Sequence, residues 1–258
     1  MYKELVKKIY SILDFEGSIV GIHLIESEEE YKKIEAISLK KTMNYCGMVK
    51  AATKGNSIKA KLEDFKCKSA PRVLGIDPED KYNKKGELWC NLGIYKDSSI
   101  SESVRSELMY YENDNAVGVY VAPIEKYNEI PDVILFFTSP YNSMRLIQGY
   151  TYNFGIAKNI QLVGNQAICY ESTARVLSTK DINISMLCIG TRHRAGWKNE
   201  NMCVGVYRDK FSKLVEGVYN TINPMESDEN KRYIKEKLEE HGLDSSFILF
   251  DDNYYKKV

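Results

Sequence analysis

Ile19-Val-Gly-Ile-His-Leu-Ile25 and Val133-Ile-Leu-Phe-Phe137 are the two stretches whose reading decides the fold. Each is an apolar run of strand length followed by a helix-opening signal. Ser27-Glu-Glu-Glu30 fits a capping box, and Ser139-Pro140 supplies an N-cap with proline at the first helical position. Working outward, Asn44 to Lys54 reads as a helix closed by Gly55, and Ser57 to Leu62 as a short strand leading to Cys67. Tyr170 to Leu177 and Asn183 to Leu187 take those parts after the second run. A third pair, Leu88-Trp-Cys-Asn-Leu-Gly-Ile-Tyr-Lys-Asp97 and Asn201-Met-Cys-Val-Gly-Val-Tyr-Arg-Asp209, reads both times as a strand followed by a helix. Matching landmarks keep similar separations: Ser27 to Ser139 is 112 residues, Cys46 to Cys169 is 123, Cys67 to Cys188 is 121 and Cys90 to Cys203 is 113.

The pattern predicts an α/β (or α+β) chain, internally duplicated into two pseudo-twofold-related halves with a mixed sheet and flanking helices. Residues 1–17 form an N-terminal helix with Leu5, Ile9, Ile12 and Leu13 at helical spacing. Residues 18–122 are the first repeat, ending on a strand from Ala116 to Ala122, and residues 131–222 the second, joined by a connector from Pro123 to Pro131. Residues 223–258 are a C-terminal helical tail, where Ser227 to Gly242 carries Lys and Glu as a solvated face and Asp251-Asp252 reads as exposed charge. The repeats are expected to pack as one compact domain.

Composition narrows the function. A chain of 258 residues with 43% hydrophobic content can bury a sizeable core. Its 36 basic and 36 acidic residues cancel, which disfavours nucleic acid and anionic membranes as partners and leaves a small anionic ligand or self-association into a homo-oligomer open. Met1 to Tyr10 lacks the apolar core of a signal peptide, and no run reaches the roughly 18 apolar residues of a membrane span. A cytoplasmic protein is the expectation, and in that compartment six cysteines read as thiols, metal ligands or buried hydrophobes rather than disulfides.

Cys46 and Cys169 fall at predicted helix starts, where the dipole and free amides lower a thiol's pKa and favour thiolate. Cys67 and Cys188 each follow a short strand and precede a turn, Lys68-Ser-Ala-Pro71 and Ile189-Gly-Thr-Arg192. Four thiolates from two symmetric pairs would hold an iron–sulfur cluster or a tetrahedral zinc. No Cys-x-x-Cys occurs, and spacings of 21, 102 and 19 residues make the reading rest on symmetry rather than on a motif. The competing reading is four buried small hydrophobes, and it is stronger for Cys90 and Cys203, which lie inside apolar strand patterns. His23 reads as a strand residue, His241 as part of the tail and His193 as an exposed loop residue, so no Cys–His pair is evident. Arg192 and Arg194, with Arg72 in the corresponding turn, form a candidate anion site. Glycine-rich phosphate loops are absent, which counts against a nucleotide enzyme.

Four blocks carry a family resemblance: Tyr45-Cys-Gly-Met-Val-Lys-Ala-Ala-Thr-Lys-Gly55, Cys67-Lys-Ser-Ala-Pro-Arg-Val-Leu-Gly75, Pro131-Asp-Val-Ile-Leu135 and Met186-Leu-Cys-Ile-Gly-Thr-Arg192. In order and spacing they resemble domain-of-unknown-function family 169, the uncharacterised ArCR-type proteins, over about residues 15 to 220. The resemblance implies that Cys46, Cys67, Cys169, Cys188 and Arg192 occupy recurring family positions and that Cys90 and Cys203 are particular to this chain. It implies an anaerobic setting and no defined biochemistry. Val206-Tyr-Arg-Asp209 stands where a proline-containing segment is expected. The leading expectation is a cluster or other thiophilic metal bound by Cys46, Cys67, Cys169 and Cys188 between the halves, with Arg192 orienting an anion. The alternatives are a metal-free module binding a small anion through Arg192 and Arg72, and a structural or regulatory protein without a catalytic site.

Overall fold

The computed structural model describes residues 2–77, 86–113 and 116–250, so Asp251-Asp252 lie outside the described residues. Seven strands form one mixed sheet: β1 (Val20–Ile25), β2 (Ile37–Ser38), β3 (Ile58–Lys61), β4 (Gly118–Pro123), β5 (Val133–Thr138), β6 (Ile182–Ser185) and β7 (Met202–Tyr207). Their order is β2-β3-β4-β1-β5-β7-β6, with β2 and β3 parallel and every other neighbouring pair antiparallel. Segments on both sides of the connector therefore share a single sheet. At its centre β1 pairs Val20, Gly21 and Ile22 with Leu135, Ile134 and Val133 of β5.

Helices cover both faces. They are α1 (Tyr2–Ile12), α2 (Glu28–Lys33), α3 (Tyr45–Ala52), α4 (Ser69–Val73), α5 (Glu87–Asn91), α6 (Ser98–Glu107), α7 (Pro140–Phe154), α8 (Arg175–Thr179), α9 (Ile189–Ala195), α10 (Arg208–Asn220), α11 (Ile222–Met225) and α12 (Asp228–Glu240). A π-helix, Ala167–Ala174, runs directly into α8. Strand side chains alternate between the faces, so Val133, Leu135 and Phe137 join one core with Tyr45, Met48 and Tyr170. Ile134 and Phe136 join the other with Ile9, Leu146, Phe211 and Leu238. Burial on both faces is why β1 and β5 read as continuous apolar runs.

Several sequence expectations meet corrections. Leu88 to Asp97 is not a strand: Glu87–Asn91 is helix α5, and Cys90 is half-buried on it. Leu92 and Ile94 stand in solvent, so this stretch has no alternating buried face to offer a sheet. Asp97 does cap the following helix, accepting from Ile100 N at 3.0 Å. Ser27 accepts from Glu30 N at 3.1 Å as a cap should, but the Glu30 carboxylate turns to Glu26 N at 2.9 Å and to His23, leaving the box incomplete. The terminal helix is not merely a wet face, because Ile234 and Leu238 are core residues and Lys231 is buried against Asp228 at 3.2 Å.

Two close backbone approaches fix the layers. A Cβ on Gly217 would stand 2.0 Å from Gly149 O, so α7 and α10 pack with their backbones in contact. A Cβ on Gly205 of β7 would stand 2.1 Å from Ser172 O, so the π-helix lies directly on the sheet. Gly205→Ala must push that helix away, and a loss of about 1–3 kcal/mol is expected in urea unfolding. Wild-type stability in the variant would show that the π-helix is not seated this way.

Candidate thiol-lined site

The cysteines singled out in the sequence come together. Cys46, Cys67, Cys169 and Cys188 all line one cleft of about 270 Å³ on the α3 and π-helix face of the sheet. Each arrives on a different element. Cys46 is the second residue of α3, and Cys67 precedes α4. Cys169 is in the first turn of the π-helix, and Cys188 is the N-cap of α9, its Sγ 3.2 Å from Thr191 Oγ1. Leu88, Trp89, Leu92 and Ile94, from α5 and the turn after it, add an apolar wall. All six cysteines are free. Cys203 is fully buried in β7, as read, and neither it nor Cys90 lines the cleft.

Electrostatics correct the thiolate expectation. Burial pushes the Cys46 thiol up to about 11, with further rises from Cys188 and Cys67. Burial also raises Cys169 well above the ordinary range, and Cys67, Cys188 and Cys46 add to it. Removing sulfur from water outweighs the helix-end field at both positions. The charged neighbours of both thiols are the other sulfurs of the cleft, so a thiolate at Cys46 or Cys169 is opposed by them. Among the described residues, no three Cys, His, Asp or Glu side chains stand close enough together to hold a single metal ion.

The frame behind the sulfurs is polar and buried. Glu171, facing away from solvent on the π-helix, accepts from Val163 N at 2.6 Å, from Gly164 N at 2.8 Å and from Ser185 Oγ. Ser185 Oγ in turn accepts from Leu187 N at 3.1 Å. Leu187 has φ +64, a conformation that a branched side chain adopts only when its surroundings demand it. Glu171 thus ties the helix of Cys169 to the strained turn that presents Cys188. Sequence reading missed it, since nothing local distinguishes Glu171 from a surface glutamate.

The arginines divide differently from expectation. Arg194 lines the cleft, whereas Arg192 and Arg72 do not. Arg192 spends its guanidinium on the carbonyls of Lys198, Met186 (2.6 Å) and Asn201 (3.3 Å), bracing the loop before β7. Arg72 is half-buried, its Nε 3.7 Å from Asp77.

A second cleft also went unread. His23 meets Asp132 through Nδ1 and Glu30 through Nε2, both at 2.7 Å. Asp132 also accepts from Leu24 N at 2.9 Å and pairs with Arg208 at 3.1 Å. Burial alone would lower the imidazole's pKa, but hydrogen bonds and charge from Asp132 and Glu30 outweigh it and hold His23 at about 9.

Fold and site together define a class by architecture: a mixed α/β sheet carrying a cysteine-lined cleft. The chain belongs to the DUF169 family of uncharacterised ArCR proteins, whose profile matches residues 8–217. It is similar to the uncharacterized protein MJ0308 of Methanocaldococcus jannaschii, at 26% identity over 220 residues, covering 84% of this chain and 93% of that protein. No solved structure matches it.

Glu171→Gln turns an amide NH₂ toward donors that need an acceptor, and a destabilisation of about 1–3 kcal/mol is expected by chemical denaturation. Faster alkylation of Cys188 than of Cys46 in that variant, followed by peptide mass mapping, would locate the loosened turn. For His23 the folded pKa lies above the unfolded value. Its contribution is therefore complete below about pH 6.5 and lost as pH rises through about 9. Denaturation midpoints should fall more steeply from about pH 6.5 to 8 in wild type than in His23→Gln, below the range where the buried thiols add their own fall, and equal slopes there would count against the assignment.

Proposed function

We propose that this protein binds an iron–sulfur cluster in the cleft lined by Cys46, Cys67, Cys169 and Cys188 and uses it to transfer electrons. The observation that carries the reading is the convergence of four of six cysteines, from four separate elements, on one cavity. Cysteines buried merely as small hydrophobes have no reason to share one opening. A mononuclear zinc needs sulfurs converging at about 2.3 Å from a single ion. A polynuclear cluster makes a different demand, because its ligands attach to separate irons and need not meet at one point. Cluster assembly here must release protons, since the Cys46 and Cys169 thiols are held neutral.

The same reading takes the chain as an internal duplication. β1, α3, β3 and α4 precede the connector, and β5, the π-helix, β6 and α9 follow it in the same order. Each group supplies two of the four cysteines, and β1 meets β5 at the centre of the sheet. Six free thiols and an air-sensitive centre point to a reducing, oxygen-poor cytoplasm as the place of action.

A second reading rests on Arg194 and the apolar wall: a metal-free cleft that holds an organic anion, with Arg194 taking the role first given to Arg192 and Arg72. Anaerobic purification with iron and sulfide analysis and a visible spectrum separates the two. Stoichiometric iron and sulfide are expected, lost in Cys46→Ser or Cys188→Ser and kept in Cys203→Ser. A colourless, iron-free protein after anaerobic reconstitution would end the cluster reading.

A further inference from the structure

The mouth of the thiol cleft is apolar and open. Three of its lining side chains stand in solvent, Leu92 at 64% exposure, Ile94 at 46% and Ile189 at 72%. Single exposed aliphatic residues are ordinary, but three around one opening make an apolar rim that needs an explanation. The segments that build the rim also carry exposed cations. Lys66 and Lys68 flank Cys67, Lys96 lies two residues past Ile94, and Arg194 lines the cleft itself. Hydrogen bonds from Met43 N to Asp64 O and from Lys66 N to Met43 O set the loop of Lys41 beside them. Among the described residues, none of these five cations forms an ion pair with a carboxylate; the acids on the same segments are Glu87, the helix cap Asp97, Glu63 and Asp64 ahead of Lys66, and Glu200 after α9, and the cations, with exposed Lys40 beside Lys41, outnumber them. In a chain whose charges cancel overall, the mouth is locally positive.

We propose that this face docks an acidic electron-carrier protein, whose carboxylates meet the cations while a hydrophobic patch over its own redox centre covers Leu92, Ile94 and Ile189. The proposal rests on the cluster reading for its chemistry. The reduced carrier is oxidised by one electron and the cluster is reduced by one; no bond forms or breaks and no proton is transferred between the proteins. Charge and shape select this occupant. A second copy of the chain would set like charges against each other. A single-stranded nucleic acid would find cations but no aromatic platform for its bases, since the exposed rim is aliphatic. A membrane surface favours one amphipathic helix lying flat, whereas these residues surround a concave opening on separate segments. Small, charge-steered contacts are the usual form of electron-transfer encounters.

The test uses an acidic [2Fe–2S] ferredoxin as probe, with binding followed by calorimetry on the anaerobically prepared protein. Binding is expected at low salt, weakened about tenfold or more on raising ionic strength from about 0.02 M to 0.3 M. Lys66→Glu with Lys68→Glu and Arg194→Glu should weaken it at least as much, and Ile189→Ser by several-fold, with circular dichroism unchanged. Cluster-free Cys46→Ser should still dock while taking up no electron, which separates the surface from its chemistry. A protein that proves cluster-free yet docks in this salt-dependent way keeps the docking face and overturns the electron-transfer step along with the cluster reading. A cluster-loaded protein showing no salt-dependent docking overturns this proposal alone, as does preferential binding to phosphatidylglycerol vesicles.

Discussion

The molecule depends on a short antiparallel ladder at the centre of its sheet, where Val20, Gly21 and Ile22 meet Leu135, Ile134 and Val133. Chain on either side of the connector is brought into one sheet here, and both cores are organised by the alternating side chains of the two strands. The ladder is reinforced just beyond its end. Asp132, the residue before β5, accepts from Leu24 N of β1, grips His23 on the same strand and pairs with Arg208 at the start of α10. One carboxylate thereby links the central strands to the helix layer. The imidazolium between Asp132 and Glu30 completes its charge balance in a half-buried place where an unpaired carboxylate would be costly.

The thiol cleft follows from that frame. Cys46 and Cys67 come from chain before the connector, and Cys169 and Cys188 from chain after it. Bringing the latter pair in requires the π-helix to lie flat on β7, which the bare backbone of Gly205 permits. The wider helical register is visible in Glu171 N and Arg175 N, which reach back five residues to Gln166 O and Tyr170 O. Such stretches are rare and collect at functional sites, because an extra residue per turn re-aims side chains that an α-helix would point elsewhere. Here it lets Cys169 face the cleft while Glu171, two residues on, faces the buried frame that holds Cys188.

Much of this was legible in the sequence, for identifiable reasons. The strands β1, β3, β5, β6 and β7 and the helices around Cys46 and after Ser139 announce themselves by apolar runs, caps and closing glycines, all local signals. The four cysteines could be chosen because the order of elements around each pair matches, and they do share a cleft. What failed was the third pairing. Apolar residues at Leu88, Cys90, Leu92 and Ile94 imitate strand alternation, but that pattern also suits a helix turn beside a rim, and β4 occupies the sheet place beside β1. The roles of Glu171, His23 and Arg194 were illegible because their partners lie in distant or buried chain. Arg192 looked the better anion ligand than Arg194 from motif position, yet its guanidinium is consumed by three carbonyls.

The error about thiol acidity is the more instructive one. A helix N-terminus carries roughly half a unit of positive charge, which in a wet site is enough to favour thiolate. In this cleft it competes with desolvation and with the other sulfurs, and it loses: Cys46 rises to about 11 and Cys169 higher still. Neutral thiols are poor nucleophiles and slow to oxidise, so Cys46 and Cys169 can stand on the cavity wall without reacting. A positive centre in their midst reverses each contribution, because every sulfur that repelled its neighbours as a thiolate then attracts the common cation. On the proposed cluster reading, such a cleft would be inert when empty and would bind only where several thiols engage one multinuclear group together. A thiolate formed alone at Cys46 or Cys169 would have to overcome that burial with nothing to offset it.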